Sequence, residues 1–120
     1  GSEVVDAWRG AQGHLQTIPS LSLADLAAQL QSNDKLVVDV RAEGEWKAGH
    51  LPGSLNLPLG ELDRRLGELP RDRAVIVHCQ TGARAAMAAS LLRARGLREV
   101  SQFPGGFAEW RAAGQPVESA

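Results

Sequence analysis

The chain has 120 residues, of which 43% are hydrophobic and 22% are charged, and its formal net charge is -1. Its length fits a single domain, and its near-neutral charge excludes the basic surface by which proteins bind nucleic acid or anionic membranes. A single cysteine excludes an internal disulfide, and the histidines have no spacing typical of a zinc site, so we expect no metal. No stretch is long and apolar enough to span a membrane and no signal peptide is visible, so we expect a cytoplasmic protein.

The first segment, residues 1–19, carries mixed signals. A weak alternation over 14–18 is typical of an edge strand. The residues around Trp8 echo those around Trp110, which indicates either the tail of a preceding, similar domain or a chance repetition. We therefore interpret 1–19 as an N-terminal arm or linker and place the folded domain at 20–120.

Strand and helix patterns alternate along the rest of the chain. Ser22 and Asp25 form a pair that resembles a capping box at the start of the first helix. The predicted order is a helix from Ser22 that stops at 32–34, a strand at 36–40, a loop and short helix at 41–50, a strand at 54–57, a helix at 59–69, a strand at 74–78, a helix at 85–95, a strand at 99–103 and a helix at 107–113. Such alternation predicts an α/β fold, with a parallel sheet covered by helices on both faces.

The only cysteine, Cys79, lies in a loop between a predicted strand and a predicted helix. The first turn of a helix has unpaired N–H groups and the positive end of the peptide dipoles, and successive loop N–H groups can form an anion-binding nest. A thiol in that setting is favoured as the thiolate, and Arg84 adds a planar, permanently charged donor group. The alternative is a small buried cysteine without chemistry. Gly82 and Arg84 favour the reactive, anion-binding interpretation.

Three blocks of the sequence resemble the rhodanese domains, which are single-cysteine sulfurtransferases. They are Val38-Asp39-Val40-Arg41 with Glu45-Trp46 and 49–54, Val77-His78-Cys79-Gln80-Thr81-Gly82-Ala83-Arg84, and Pro104-Gly105-Gly106-Phe107 with Trp110 and Gly114-Gln115-Pro116. The resemblance implies a rhodanese-like three-layer fold, with a central, mostly parallel sheet and helices on both faces. One departure is Ala85, because many members have serine after the loop arginine.

The resemblance also implies a chemistry. The thiolate of Cys79 would attack the outer sulfur of thiosulfate or of another sulfane-sulfur donor, and the resulting persulfide would pass its outer sulfur to cyanide or to a thiol. No metal or organic cofactor is implied. The predicted substrate-binding residues, whose N–H groups would surround the sulfur, are Gln80, Thr81, Gly82, Ala83 and Arg84.

A second group of residues is expected to support the site. Its members are Asp39, Arg41, Glu45, His50, Gly105 and Gly106. The four charged or titratable members are interpreted as a polar network that braces the crevice, since buried charges persist when they are paired; direct catalysis is the alternative. His78 precedes the nucleophile, but its side chain should point to the opposite face of the strand, so we expect no general-base role for it.

Two other functions compete with free-standing sulfur transfer. One is a persulfide carrier or regulatory module fused to other domains in a larger protein. The other is a cysteine phosphatase, but phosphatases place five residues between cysteine and arginine, whereas this loop has four between Cys79 and Arg84. The expected partners are a small sulfur donor and a thiol, cyanide or protein acceptor, with no nucleic acid and no membrane.

Overall fold

The computed structural model describes residues 18–32, 34–70 and 72–120, so most of the predicted N-terminal arm lies outside the described residues. Strands and helices alternate. The elements are α1 (Leu23–Ser32), β1 (Leu36–Asp39), α2 (Glu43–Ala48), β2 (Leu55–Asn56), α3 (Leu59–Leu62), a 3-10 turn (Leu66–Glu68), β3 (Val75–His78), α4 (Ala83–Ala94), β4 (Val100–Gln102) and α5 (Gly106–Ala112). No helix in this part of the chain has the length and apolar character needed to cross a membrane.

The four strands form one sheet in the order β2-β1-β3-β4, and every pairing in it is parallel. All residues of β3 are buried, as expected for a central strand with helices on both of its faces. Asp39 and His78, the last residues of β1 and β3, are register partners. The segments that follow these two strands therefore begin side by side at one edge of the sheet, where parallel α/β sheets carry their sites.

Two apolar clusters lie on opposite faces of this sheet and confirm the three-layer arrangement. Val75, Val77 and Cys79 belong to one cluster and Ile76 to the other, as the two-residue period of a strand requires. In the first cluster α4 contributes Ala85, Ala88, Ala89 and Leu92; in the second the largest side chains are Leu26, Leu51, Phe103, Phe107 and Trp110. Small residues on α4 let this helix lie close to the sheet beside the cysteine.

The predicted helix at 59–69 is wrong as a single element. The structure ends α3 at Leu62, and a separate 3-10 turn follows at Leu66–Glu68. Between them Arg65 has φ -105° and ψ 16°, which leaves the helical region. The apolar face that the leucine spacing predicted is still buried at Leu62 and Leu69. Gly60 and Gly67 weaken a continuous helix by about 1 kcal/mol each relative to alanine.

The sheet edge at β4 receives the first described residues. Ile18 is buried in the first apolar cluster, the carbonyl of Pro19 accepts the N–H of Gln102, and Leu21 donates to the Gln102 carbonyl. The end of the predicted arm thus packs on the domain.

Candidate active site

The thiol of Cys79 lies one residue beyond β3 and is 1% exposed. The N–H of Gly82 donates to its Sγ at 3.0 Å, and the N–H of Ala85 does so at 3.4 Å. Ala85 is the third residue of α4, so its N–H is one of those that a helix leaves unpaired at its start. Two backbone donors directed at one sulfur stabilise negative charge on it.

Two glycines allow the cysteine loop, residues 79–82, to pack directly on a second loop, residues 103–105 between β4 and α5. Gly82 has φ +109°, and a Cβ there would lie 2.5 Å from the Pro104 carbonyl oxygen. Gly106 has φ +67°, and a Cβ there would lie 2.5 Å from the carbonyl oxygens of both Cys79 and Gln80. Backbone therefore contacts backbone at both points, and only glycine combines the positive φ with that close approach.

The start of α5 orients the peptide groups of the cysteine loop. Phe107 donates its N–H to the Cys79 carbonyl at 2.7 Å, and Ala108 donates to the Gln80 carbonyl at 3.1 Å. Because a trans peptide is planar, with N–H and C=O on opposite sides, the N–H groups of Gln80 and Thr81 point away from α5. The carbonyl oxygens of Cys79 and Gln80 therefore face the start of α5, and the N–H groups of Gln80 and Thr81 face the opposite side of the loop.

We expect Gly106→Ala to destabilise this packing and to slow any chemistry at the loop. A residue with a side chain at φ +67° is strained, by about 1–3 kcal/mol, and the loop backbone would have to move as well. The matched control is Gly60→Ala, since a Cβ at Gly60 meets no atom within 4 Å. Melting temperatures of the two variants measure the effect; equal values would contradict it.

A buried ion pair joins the end of β1 to the cysteine loop. Arg41 donates from Nη2 to Asp39 at 2.7 Å and from Nε at 3.0 Å, and these two side chains are 2% and 0% exposed. The same guanidinium donates to the Gly49 carbonyl at 2.7 Å and to Gln80 Oε1 at 3.3 Å. Its carbon lies 4.3 Å from the centroid of the Phe107 ring. Arg41 thus ties β1, the end of α2, the cysteine loop and α5 together.

A second ion pair crosses from the start of α4 to α2. Arg84 donates from Nη1 to Glu45 Oε1 at 2.8 Å and from Nη2 to Oε2 at 3.2 Å, and both side chains are partly exposed. The hydrogen bond from Arg84 is the main cause that lowers the pKa of Glu45 below its usual value, and the same bond raises the pKa of Arg84. Both groups are therefore charged at neutral pH.

Neither histidine near the loop is hydrogen-bonded to these pairs, although His78 Nε2 lies 3.8 Å from Asp39 Oδ2. His50 stacks on Trp46, with ring centroids 3.8 Å apart, and its Nδ1 donates to the Trp46 carbonyl at 2.6 Å. His78 is fully buried on the face opposite the thiol; its Nδ1 lies 3.3 Å from the Cys79 carbonyl oxygen, and its Nε2 has no hydrogen-bond partner within the described residues. Burial lowers the pKa of His78, so it is neutral at neutral pH.

The residues expected to form one polar network are thus divided. Asp39 pairs with Arg41, Glu45 pairs with Arg84, and His50 contacts Trp46 instead of either pair.

The remaining predicted residues border the loop. Thr81 and Ala83 are exposed at its rim. Gly105 lies at the turn before α5, where the three atoms nearest to an added Cβ belong to the Glu109 side chain and include its Cβ at 2.9 Å. A shallow depression beside the loop is bordered by Glu45, Gln80 and Arg111, among others. Over the described ranges, no group of His, Cys, Asp and Glu side chains could hold a metal ion.

Sequence reasoning missed two backbone donors. The sequence marks Ala85 as a small residue of the helix in place of the usual serine, and it does not reveal that the Ala85 N–H contacts the sulfur. The missing signal was the start of α4, which lies at Ala83, two residues earlier than predicted. In the sequence Phe107 stands out only as part of the family resemblance, whereas in the structure its N–H also orients the Cys79 carbonyl.

Fold and site together define an α/β domain with one buried cysteine whose Sγ accepts two backbone N–H groups, an arrangement that suits covalent group transfer. A family model for the rhodanese-like domain matches residues 22–113, so the chain belongs to the rhodanese-like domain family. The chain is 35% identical over 100 residues to a sulfurtransferase of Allochromatium vinosum, a match that covers 83% of this chain and 92% of that protein. The chain is therefore placed in a sulfurtransferase family.

Two further similarities are to a longer protein and to a solved structure. Over 101 residues the chain is 41% identical to an HTH-type transcriptional regulator of Mycobacterium tuberculosis, a match that covers 82% of this chain and 44% of the regulator. It thus spans less than half the length of that relative. The crystal structure of a rhodanese-related protein from Thermoplasma volcanium superposes with a TM-score of 0.77 at 33% identity, covering 83% of this chain and 97% of that one.

Proposed function

We propose that this domain is a sulfurtransferase that carries sulfane sulfur as a persulfide on Cys79. The observation that carries the proposal is the Sγ of Cys79, buried at the end of β3 with the N–H groups of Gly82 and Ala85 directed at it. Such donors, fixed before the reaction begins, stabilise charge on sulfur in both the thiolate and the persulfide without reorganising.

The proposed reaction has two displacement steps. The Cys79 thiolate attacks the outer sulfur of thiosulfate, the S–S bond of thiosulfate breaks, and sulfite leaves with the electron pair of that bond. The anionic persulfide on Cys79 is then attacked at its outer sulfur by cyanide or by a thiolate, and the Cys79 thiolate leaves. Each step exchanges one bond to sulfur for another, so no external oxidant or reductant is needed.

The proposal extends to partners and setting. The donor is a small sulfane-sulfur compound, and the acceptor is cyanide, a small thiol or a protein thiol. Because the reaction needs a free thiol, we propose a reducing, cytoplasmic setting. The alternative, a persulfide-carrying or regulatory module within a longer protein, is supported by the similarity to part of a transcriptional regulator and uses the same first step.

Mass spectrometry of the intact protein tests the proposal. After incubation with thiosulfate we expect the mass to rise by one sulfur atom, located on the peptide with Cys79, and to return after cyanide is added. We expect no significant hydrolysis of aryl phosphates, because the short loop surrounds a smaller volume than phosphate needs. Hydrolysis of an aryl phosphate through Cys79 that is faster than sulfur transfer would replace this proposal with the phosphatase interpretation.

A further inference from the structure

The guanidinium of Arg84 is the cation at the start of α4, beside the cysteine loop, and a carboxylate already binds it. Glu45 accepts both Nη hydrogen bonds in bidentate geometry, at 2.8 and 3.2 Å. Arg84 is the second residue of α4 and directly precedes Ala85, whose N–H lies 3.4 Å from the Sγ of Cys79. An anionic donor that approaches the sulfur therefore competes with Glu45 for this cation.

The second arginine of the site does not substitute for it. Arg41 is 2% exposed, and both its Nε and its Nη2 donate to the carboxylate of Asp39. Its remaining donors bind the Gly49 carbonyl and the side chain of Gln80. A donor molecule could use Arg41 only by breaking a buried pair, so of these two arginines Arg84 is the one that can exchange its carboxylate for an incoming anion.

The two classes of sulfane donor differ in the charge that they bring. Thiosulfate is a dianion, so its attack by the thiolate assembles three negative charges. A protonated thiol persulfide, RSSH, is neutral at its reacting end, so its attack assembles one. Like charges repel more strongly as their number rises, and a carboxylate beside the site therefore disfavours thiosulfate more than it disfavours a persulfide.

We propose that Glu45 is a specificity-determining residue that, by neutralising Arg84, biases this site towards thiol persulfides over small dianionic donors. The inference rests on the proposed function of Cys79 as the sulfur carrier. In the favoured reaction the Cys79 thiolate attacks the outer sulfur of RSSH, the S–S bond of the donor breaks, and RS⁻ leaves. The product is Cys79–S–SH, and the proton stays on the transferred sulfur.

The test compares kcat/KM for thiosulfate and for cysteine persulfide in the protein and in Glu45→Gln, at fixed ionic strength. Glutamine keeps the length and an acceptor oxygen for Arg84 but removes the charge. We expect the thiosulfate-to-persulfide ratio of kcat/KM to rise roughly tenfold in Glu45→Gln, and the thiosulfate rate to fall more steeply with added salt. Loss of both activities in equal proportion would mean that Glu45 only holds Arg84 in place, and would overturn the inference.

Two control variants separate charge from geometry. Glu45→Asp keeps the charge but shortens the side chain, so its ratio should stay near that of the unchanged protein. Glu43→Gln removes the same charge from the same helix, where Glu43 contacts Lys47 at 3.3 Å rather than Arg84, and it should not change the ratio. A rise in the ratio in Glu43→Gln equal to that in Glu45→Gln would assign the effect to net charge alone.

The outcomes also distinguish a failure of this inference from a failure of the proposed sulfurtransferase function. If the unchanged protein takes sulfur from neither donor, the proposed function fails. If it takes sulfur from both donors and the ratio is the same in Glu45→Gln, only the role of Glu45 fails.

Discussion

Cys79→Ser is expected to gain no sulfur from thiosulfate and to lose at least roughly a thousandfold in turnover. A serine hydroxyl is a far weaker nucleophile towards sulfur than a thiolate, and it cannot form a persulfide. No second thiol can replace it, because the sequence contains one cysteine. Intact-protein mass spectrometry and a cyanide-dependent assay both measure the effect.

The fold should survive that substitution. Serine is close to cysteine in size, and its oxygen can accept from the N–H groups that now contact Sγ, so the far-ultraviolet circular dichroism should match that of the parent. A folded Cys79→Ser protein that still takes up sulfur would exclude a covalent role for this residue and, with it, the mechanism proposed above.

Arg41→Met is expected to produce the largest loss of stability, about 3–5 kcal/mol in the free energy of unfolding. Methionine fills much of the same volume but leaves the fully buried carboxylate of Asp39 without its cation. Gln80 and the Gly49 carbonyl each lose a donor as well. Denaturant unfolding measures the loss.

A double variant distinguishes the buried charge from simple loss of packing. Combining Arg41→Met with Asp39→Asn removes the unpaired carboxylate, so part of the lost stability should return. The surface control is Arg65→Met, whose partners Glu61 and Glu68 stay in solvent, and it should unfold close to the parent. If Arg41→Met unfolded no earlier than Arg65→Met, the bracing role of Arg41 would be wrong.

The architecture could be predicted because it depends on local patterns. The apolar run at 74–78 predicted a strand, and the structure confirms β3 at Val75–His78, with every residue of it buried. The capping pair is also confirmed, since Asp25 donates its N–H to Ser22 Oγ at 3.1 Å and Ser22 donates back to the carboxylate at 3.4 Å. In both cases the physical cause lies within a few residues of its effect.

The partners of the charged side chains could not be predicted in the same way. Glu45 and Arg84 are 39 positions apart, and only the packing of α2 beside the cysteine loop brings them together. His50 has an equally good sequence context for a polar network, yet its ring stacks on Trp46, four residues earlier, and hydrogen-bonds to the Trp46 carbonyl. Distant contacts depend on the relative placement of whole elements, which no short pattern encodes.

The burial of Cys79 has a consequence for which sulfur atom an acceptor would contact. The resting sulfur is 1% exposed, so the empty domain shows almost no thiol at its surface. In the mechanism proposed above, loading would add one sulfur atom about 2.05 Å from Sγ. An acceptor in the second proposed step would attack that outer sulfur and would not need to contact the buried Sγ itself.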